Sequence, residues 1–169
     1  MNEIIRFAWG ISALGDFLVA ISDKGIVAVE FNADHAAMEN ALQARFPDAV
    51  VEHSHDGLAE LATTVAGVID DPAAACDLPL DLRGTAYELK VWQMLREIPP
   101  GQTTTYGALA ARLGTRDARD VTQAIANNAV AVIVPCHRVI KKDGSISGYR
   151  WGVGRKRALL AREQVSQAH

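Results

Sequence analysis

Cysteine is scarce in this sequence, which has two among its 169 residues, Cys76 and Cys136. Two cysteines do not make the disulfide framework of a small secreted protein, and no CxxC pair or His/Cys cluster indicates zinc. Long apolar runs are missing too, since none reaches the roughly 18 residues of a membrane span. The first ten residues lack the basic-then-apolar order of a signal peptide. We therefore expect a cytoplasmic protein with no membrane partner.

Positive charge is scarce in the first half of the chain. Residues 1–84 carry 4 Lys/Arg against 14 Asp/Glu, a net charge of −10, whereas residues 85–169 carry 13 against 6, a net of +7. An asymmetry of this size predicts that the second half binds a polyanion and that the first half faces away from it. The alternative is that the two halves simply pair with each other.

The first half has the pattern of a small α/β domain. Three short stretches rich in β-branched and aromatic residues predict an antiparallel meander, and two later stretches have helical spacing. Pro79 makes a further segment an edge strand or an extended linker. The predicted strands are Ile4–Trp9, Phe17–Ser22 and Ile26–Phe31. The predicted helices are Ala36–Phe46, with Asp34 as N-cap, and Leu58–Ile69, and the segment that contains Pro79 is Leu78–Leu82.

The second half begins near Arg83-Gly84 and is mostly helical. Thr85 and Glu88 have the spacing of a capping box, and Thr105 caps a second helix that Gly114 ends. A turn at Thr115-Arg116 leads to a third helix, from Asp117 to about Asn127. Two short helices joined by a tight turn predict a helix-turn-helix whose second helix reads nucleic acid. A last helix covers Arg155–Glu163, with Lys156 among the charged residues expected to be solvated.

The chemistry is expected at Pro135-Cys136-His137-Arg138-Val139. These residues follow the apolar run 129–134, which predicts a short buried strand. A histidine and an arginine next to the sulfur favour the thiolate, which is the nucleophilic form. The alternative is a buried, inert cysteine. Downstream, the glycine-rich and aromatic stretch 147–152 is typical of a loop that lines a pocket for a flat ring, although an ordinary turn has the same composition.

Together these residues resemble the O6-alkylguanine-DNA alkyltransferases, also called methylated-DNA–protein-cysteine methyltransferases. The resemblance covers essentially the whole chain and is strongest from Gly84 to Glu163, where it is similar to the C-terminal domain of the bacterial adaptive-response protein. It implies a two-domain α/β (α+β) protein. Residues 1–83 would form a small ribonuclease-H-like antiparallel sheet with helices, and residues 84–169 a winged helix-turn-helix domain that binds DNA and accepts the alkyl group.

The implied activity is direct-reversal DNA repair by a suicide enzyme. An alkyl group passes from O6-alkylguanine in duplex DNA to Cys136 after the nucleotide is flipped out, once per molecule and without a cofactor. The resemblance implies that His137 takes the thiol proton through a water and that Glu163 orients His137. The partner is double-stranded DNA bearing alkylated bases, and the protein acts as a monomer. The sequence does not define the lesion range, from methyl to bulkier groups or from guanine to O4-alkylthymine.

Further residues take roles by the same resemblance. Arg119 enters the duplex in place of the flipped base, Tyr106 helps to rotate the nucleotide and donates to the base, and Asn128 bridges the recognition helix and the active-site strand. Four residues are assigned to the substrate pocket: Tyr149, Pro135, Arg138 and Trp151.

The sequence departs from the family after Arg119. Where small residues are usual, this chain has Asp120, Thr122 and Gln123. Asp120 would weaken DNA affinity or hold Arg119 in place, and we favour weaker affinity or an altered lesion preference. The zinc-binding sensor domain of the adaptive-response protein has no counterpart in this sequence, so its transcriptional role is not expected. The sequence leaves open whether the chain is a free-standing enzyme or a domain of a longer protein. Two other functions stay open. One is a non-enzymatic lesion binder, a class whose members lack the cysteine, and the other is an unrelated cysteine hydrolase or thiol-dependent regulator with a helix-turn-helix.

Overall fold

The computed structural model of the chain describes residues 2–74, 76–114, 118–146 and 148–167. It is a mixed α/β structure with six α-helices in these ranges. The N-terminal half contains, in order, β1 (Ile4–Ser12), β2 (Gly15–Ile21), β3 (Ile26–Phe31), α1 (His35–Arg45), β4 (Val50–His53) and α2 (Ala59–Asp70). The C-terminal half contains α3 (Ala86–Arg96), β5 (Thr104–Thr105), α4 (Tyr106–Leu113), α5 (Ala118–Ala126), a 3₁₀ turn (Cys136–Arg138), β6 (Val139–Ile140) and α6 (Val153–Gln167).

The N-terminal sheet has the strand order β3-β2-β1-β4. The predicted meander is confirmed, because β1 pairs antiparallel with β2 and β2 with β3. The short strand β4 was not predicted, and it pairs parallel with β1. Side chains alternate between the two faces, as the pleat requires: Phe17 and Val19 pack on one side of β2, and Leu18 and Ala20 on the other. Both sides of the sheet are therefore covered, by α1 on one and by α2 on the other.

The outer edge of β3 is covered by two segments of the chain. The extended segment after α2 bonds to Ile26, which donates to the Pro79 carbonyl (2.9 Å) and accepts from the Asp81 amide (2.8 Å). Val29 likewise donates to the Ala129 carbonyl and accepts from the Ala131 amide, both at 2.9 Å. An edge strand that would otherwise expose its backbone groups is thus covered, and through Val29 it is bonded to the C-terminal half.

Local signals begin and end the C-terminal helices as predicted. The Thr85 hydroxyl accepts from the Glu88 amide (3.0 Å) and the Glu88 carboxylate from the Thr85 amide (2.9 Å), which completes the capping box. Thr105 caps α4, and Gly114 ends it in the left-handed conformation (φ 72°) that glycine favours. The next helix, α5, packs on α3, where the Trp92 indole donates to the Ala124 carbonyl (2.8 Å). The predicted turn at 115–116 and helix start at 117 lie outside the described residues.

One core extends from the sheet into the C-terminal half. It joins Phe17 and Val29 of the sheet to Val65 of α2, Trp92 of α3 and Leu159 of α6. The ribonuclease-H-like and winged helix-turn-helix descriptions, and the boundary at residue 83, remain predictions. In the described parts of the chain, no helix has the length and apolar character to cross a membrane.

Candidate active site

The segment that precedes Cys136 is not a strand, so the prediction for residues 129–134 is wrong. Val130 makes a single bridge to Val29, and residues 131–134 then turn. The Asn128 side chain satisfies the backbone groups that a strand neighbour would otherwise bond. Its amide nitrogen donates to the carbonyls of Val130 and Val134, each at 3.2 Å, and its oxygen accepts from the Val130 amide at 3.0 Å. Val132 adopts a positive φ of 68°, a strained conformation for a β-branched residue.

Asn128 also contacts the sulfur. Its amide nitrogen lies 3.4 Å from Cys136 Sγ, so one buried side chain supports both the turn and the thiol. This geometry agrees with the bridging role predicted for Asn128. It also fixes the position of the sulfur relative to the carboxyl end of α5.

Cys136 is only 4% exposed, but the residue contributes to the wall of a cavity. This cavity of about 310 Å³ lies between α4, α5 and the segment 148–150. Two predicted site residues, Tyr106 and Tyr149, line the same cavity. Gly148 and Arg150 also line it, and they belong to the stretch 147–152 that the sequence predicts to line a pocket. The remaining lining residues, Thr122, Ile125 and Ala126, were not predicted to line it.

Burial of Cys136 opposes the thiolate that its neighbours in sequence would favour. Burial raises the pKa of Cys136 from 9.0 to about 11, although the Asn128 hydrogen bond and the positive charge of Lys156 oppose this effect. The two neighbours in sequence do not reverse it, because His137 and Arg138 both bond to Glu163 instead. The cysteine is therefore a thiol at neutral pH and needs a base before it can act as a nucleophile.

His137 and Glu163 form a buried pair in which neither side chain is exposed. His137 Nε2 lies 2.6 Å from Glu163 Oε1. Burial lowers the pKa of His137, while hydrogen bonds from His137 and Arg138 outweigh burial and lower the pKa of Glu163. The pair is thus a neutral imidazole and a carboxylate, so Nε2 carries the proton and donates it. Nδ1 keeps a lone pair and has no hydrogen-bond partner among the described residues.

Arg138 supports Glu163 and does not line the cavity of Cys136. Its guanidinium donates to Glu163 Oε1 through Nε (2.9 Å) and a terminal nitrogen (2.8 Å), and to the carbonyls of Ile98 and Pro72. Arg138 and Pro135 line a separate cavity of about 300 Å³ on the other side of the turn. The substrate-pocket assignment of these two residues therefore does not fit their placement.

Tyr149 and Trp151 differ in their positions. Tyr149 faces the cavity, and its hydroxyl is buried without a partner among the described residues. Trp151 packs behind it, with the two rings edge to face and their centroids 5.3 Å apart. Trp151 thus supports the predicted pocket residue without lining the pocket. Burial raises the pKa of both Tyr106 and Tyr149, so each keeps its phenolic proton as a potential hydrogen-bond donor.

Lys156 is a site residue that the sequence analysis missed. It was expected in solvent, but its side chain is fully buried, and Nζ lies 5.9 Å from the centre of the Tyr106 ring. Burial lowers the pKa of Lys156, while the nearby Cys136 opposes that shift. Helical spacing could have identified this residue, because positions 156, 159 and 163 follow the i, i+3, i+7 pattern of one helix face. Leu159 and Glu163 on that face are also fully buried.

The residues of α5 lie in four different surroundings: the core, the exposed surface and two cavities. Val121, Ala124 and Ile125 are buried, whereas Arg119 is exposed in the first turn. Thr122 faces the Cys136 cavity. Asp120 and Gln123 line another cavity, against Tyr87 and Glu88 of α3. The three departures from the family pattern thus lie on two sides of the helix. Among the residues that the structure describes, no three His, Cys, Asp or Glu side chains gather to hold a metal ion.

Comparison with known proteins agrees with this geometry. Residues 86–165 match the family model described as 6-O-methylguanine DNA methyltransferase, DNA binding domain. The bifunctional transcriptional activator/DNA repair enzyme Ada of Escherichia coli is 42% identical over 167 residues, which are 98% of this chain and 47% of Ada. The methylated-DNA–protein-cysteine methyltransferase of Mycolicibacterium paratuberculosis is 38% identical over 128 residues, 71% of this chain and 78% of that protein.

Solved structures have the same architecture. Mycobacterium tuberculosis OGT in complex with DNA superposes with a TM-score of 0.78 at 30% identity, over 95% of this chain and 93% of that chain. The chain spans about half the length of the Ada proteins of Escherichia coli and Salmonella typhimurium, 47% and 46%. From these matches, the chain belongs to the methylated-DNA–protein-cysteine methyltransferase family.

Proposed function

We propose that this chain repairs DNA directly, by moving an alkyl group from O6-alkylguanine in duplex DNA to Cys136. Each molecule acts once, because the thioether product has no route back to the thiol among the groups at the site. The observation that carries the proposal is the cavity of about 310 Å³, which brings the Cys136 sulfur and two tyrosines together beside α5. A cavity of this size holds a single nucleobase, not a stretch of duplex, so the target nucleotide must leave the helix first.

Proton removal is the first chemical requirement, because the pKa of Cys136 is raised by burial to about 11. His137 is the base: its Nδ1 lone pair has no partner among the described residues, and its Nε2 proton is held by the Glu163 carboxylate. The proton passes from the sulfur to Nδ1, through a water as the family resemblance implies. Arg138 and the backbone around it hold Glu163 in place, so the imidazole keeps one tautomer and one orientation.

Alkyl transfer then exchanges one bond for another. The sulfur attacks the alkyl carbon, a carbon–sulfur bond forms, and the carbon–oxygen bond breaks with its electron pair on the guanine. The developing negative charge on the base needs a hydrogen-bond donor in a site from which water is excluded. Tyr106 and Tyr149 line the cavity as neutral phenols and can donate there.

DNA binding is assigned to the C-terminal residues 84–169, with residues 1–83 as a separate N-terminal domain. The net charges of +7 and −10 on the two halves support this division. Arg119, exposed in the first turn of α5, would take the place of the flipped base, and the inserted side chain keeps the gap open. Binding would depend on phosphate contacts and tolerate many sequences. We place this activity in the bacterial cytoplasm, carried out by a monomer.

Mass spectrometry after mixing with a duplex that contains O6-methylguanine tests the proposal. We expect the peptide that contains Cys136 to gain one methyl group in place of the thiol hydrogen, with one equivalent transferred per protein. The matched control is Cys76→Ser, which removes the other cysteine and is expected to leave the transfer unchanged. Cys136→Ser is expected to abolish it.

The alternatives predict different outcomes in the same assay. A non-enzymatic lesion binder would retain the duplex without any gain in mass at Cys136. A cysteine hydrolase would turn over repeatedly on an acyl substrate and leave the methylated duplex intact. Either result, or methylation at Cys76 instead, would exclude the proposed function.

A further inference from the structure

The N-terminal half has no reactive group in the cavity of Cys136, yet one of its side chains reaches the cavity wall. Glu30 lies on β3 and is 2% exposed. Its Oε1 atom lies 2.7 Å from a terminal nitrogen of Arg150, which lines the cavity together with Cys136. This ion pair crosses between the two halves of the chain, in a region where a carboxylate is costly to bury unless it is paired.

The other end of the Arg150 guanidinium is held at the active-site turn. Its second terminal nitrogen donates to the Asn128 carbonyl at 2.9 Å, and the guanidinium carbon lies 5.4 Å from the centre of the Trp151 ring. The Asn128 amide in turn lies 3.4 Å from Cys136 Sγ. A continuous set of contacts therefore connects Glu30, through Arg150 and Asn128, to the reactive sulfur.

Glu30 also forms a second, longer ion pair, with Arg45. Its second oxygen has no hydrogen-bond partner among the described residues and lies 3.8 Å from the nearest nitrogen of Arg45. The neighbouring residue, Val29, makes two backbone hydrogen bonds to residues 129 and 131. Two consecutive residues of β3 thus hold the turn that carries Cys136, one through its backbone and one through Arg150.

We propose that Glu30 is a positioning residue for alkyl transfer, which holds the Arg150 guanidinium against the Asn128 carbonyl and so fixes the cavity wall beside Cys136. The planar guanidinium bonds the Glu30 carboxylate and the Asn128 carbonyl at the same time. The Arg150 part of the cavity wall is therefore held in a single position when the base enters the cavity. Without the carboxylate, Arg150 turns toward solvent, and the base is held less firmly in line with the sulfur. This inference rests on the proposed alkyl-acceptor function and gives the N-terminal half a part in it.

Two reagents separate this role from general stability. Free O6-benzylguanine must occupy the cavity to react, whereas iodoacetamide needs only the Cys136 thiol. For Glu30→Gln we expect the second-order rate with O6-benzylguanine to fall about tenfold or more, since small misplacement of reacting groups has effects of that order. The rate with iodoacetamide at Cys136 is expected to stay within about twofold. The matched control is Glu52→Gln, which removes an exposed carboxylate of β4, at the other edge of the sheet, that lies 3.9 Å from Arg6 of β1.

A double-mutant cycle tests whether Glu30 acts through Arg150. The double variant Glu30→Gln/Arg150→Gln is expected to react with O6-benzylguanine at the rate of Arg150→Gln alone. Independent, additive losses would overturn the inference, as would an unchanged rate in Glu30→Gln or an equal change with both reagents. If Glu30→Gln does not fold, Arg150→Lys is the deciding variant. Lysine keeps the positive charge but lacks the planar guanidinium that bonds the Glu30 carboxylate and the Asn128 carbonyl together. If Arg150→Lys reacts with O6-benzylguanine as fast as the parent protein, the inference is overturned. The parent protein's own reaction reports separately on the proposed function.

Discussion

The resting state of Cys136 leads to a quantitative prediction about pH. Burial raises the pKa of the thiol from 9.0 to about 11. Because each pKa unit is worth about 1.4 kcal/mol, ionising this thiol costs the folded protein about 3 kcal/mol relative to the unfolded chain. The sign follows from the direction of the shift. At a pH below the pKa that the thiol has in the unfolded chain, its contribution to the free energy of unfolding is fully present. This contribution is lost as the pH rises toward the pKa of the thiol in the folded protein.

Comparison of the parent with Cys136→Ser isolates this effect, because other groups titrate alike in both proteins. The free energy of unfolding in urea, measured at several pH values from 8 to 11, is expected to fall in the parent relative to the variant by up to about 3 kcal/mol. A second assay follows the modification of Cys136 by iodoacetamide in a Cys76→Ser background. Only about one thiol in ten thousand is ionised at pH 7, so the rate is expected to rise about tenfold per pH unit up to pH 10.

A reaction rate that levels off near pH 8 would refute this reasoning. It would mean that the charges of Lys156 and Arg150 outweigh burial and that the thiolate is the resting form. A flat difference in stability between parent and variant would lead to the same conclusion. In either case the sulfur would not need His137 as its base, and the order of steps proposed above would change.

Three further predictions concern the residues around the sulfur and on α5. Glu163→Gln leaves the buried Arg138 guanidinium without its carboxylate. We therefore expect the free energy of unfolding, measured in urea, to fall by about 3–5 kcal/mol. We also expect severe loss of methyl transfer, measured by mass spectrometry. If stability falls by less than about 1 kcal/mol, the charged pair is not formed. Arg119→Ala is expected to slow the repair of duplex DNA far more than the reaction with free O6-benzylguanine, and equal losses would contradict its role in extrusion. Asp120→Ala is expected to tighten DNA binding relative to the parent by less than about tenfold, mainly at low salt. Equal affinities of variant and parent at low salt would exclude repulsion by Asp120.

Elements formed by neighbouring residues could be predicted well from the sequence. The capping box of Thr85 and Glu88, the Thr105 cap and the left-handed Gly114 depend on groups a few residues apart, and all three are present. The strands β1 to β3 follow from their short β-branched and aromatic runs. The strand β4 has four residues and pairs in parallel with β1, from which it is separated by two other strands and a helix, so no local signal indicates it.

The identities of the candidate site residues could be predicted from the sequence, but the charges that surround Cys136 could not. The residue order Pro-Cys-His-Arg located the reactive turn, and Glu163 was correctly placed beside His137 by family resemblance. However, residues adjacent in sequence do not have to share an environment. Arg138 bonds Glu163 instead of the thiol, and Lys156, far along the chain, supplies a nearby positive charge.

The sequence alone determined the helices and their caps, the meander, the candidate cysteine and the family, because each depends on short-range patterns or on residue order. Only the tertiary structure decided that the apolar run before Cys136 turns instead of forming a strand, that the thiol keeps its proton, and that Glu30 reaches Arg150. Those outcomes depend on burial and on contacts between distant segments. The order of apolar and polar residues specifies which surfaces are apolar. The low-dielectric surroundings of a buried sulfur, and the partner of a buried charge, are set only when distant segments pack together.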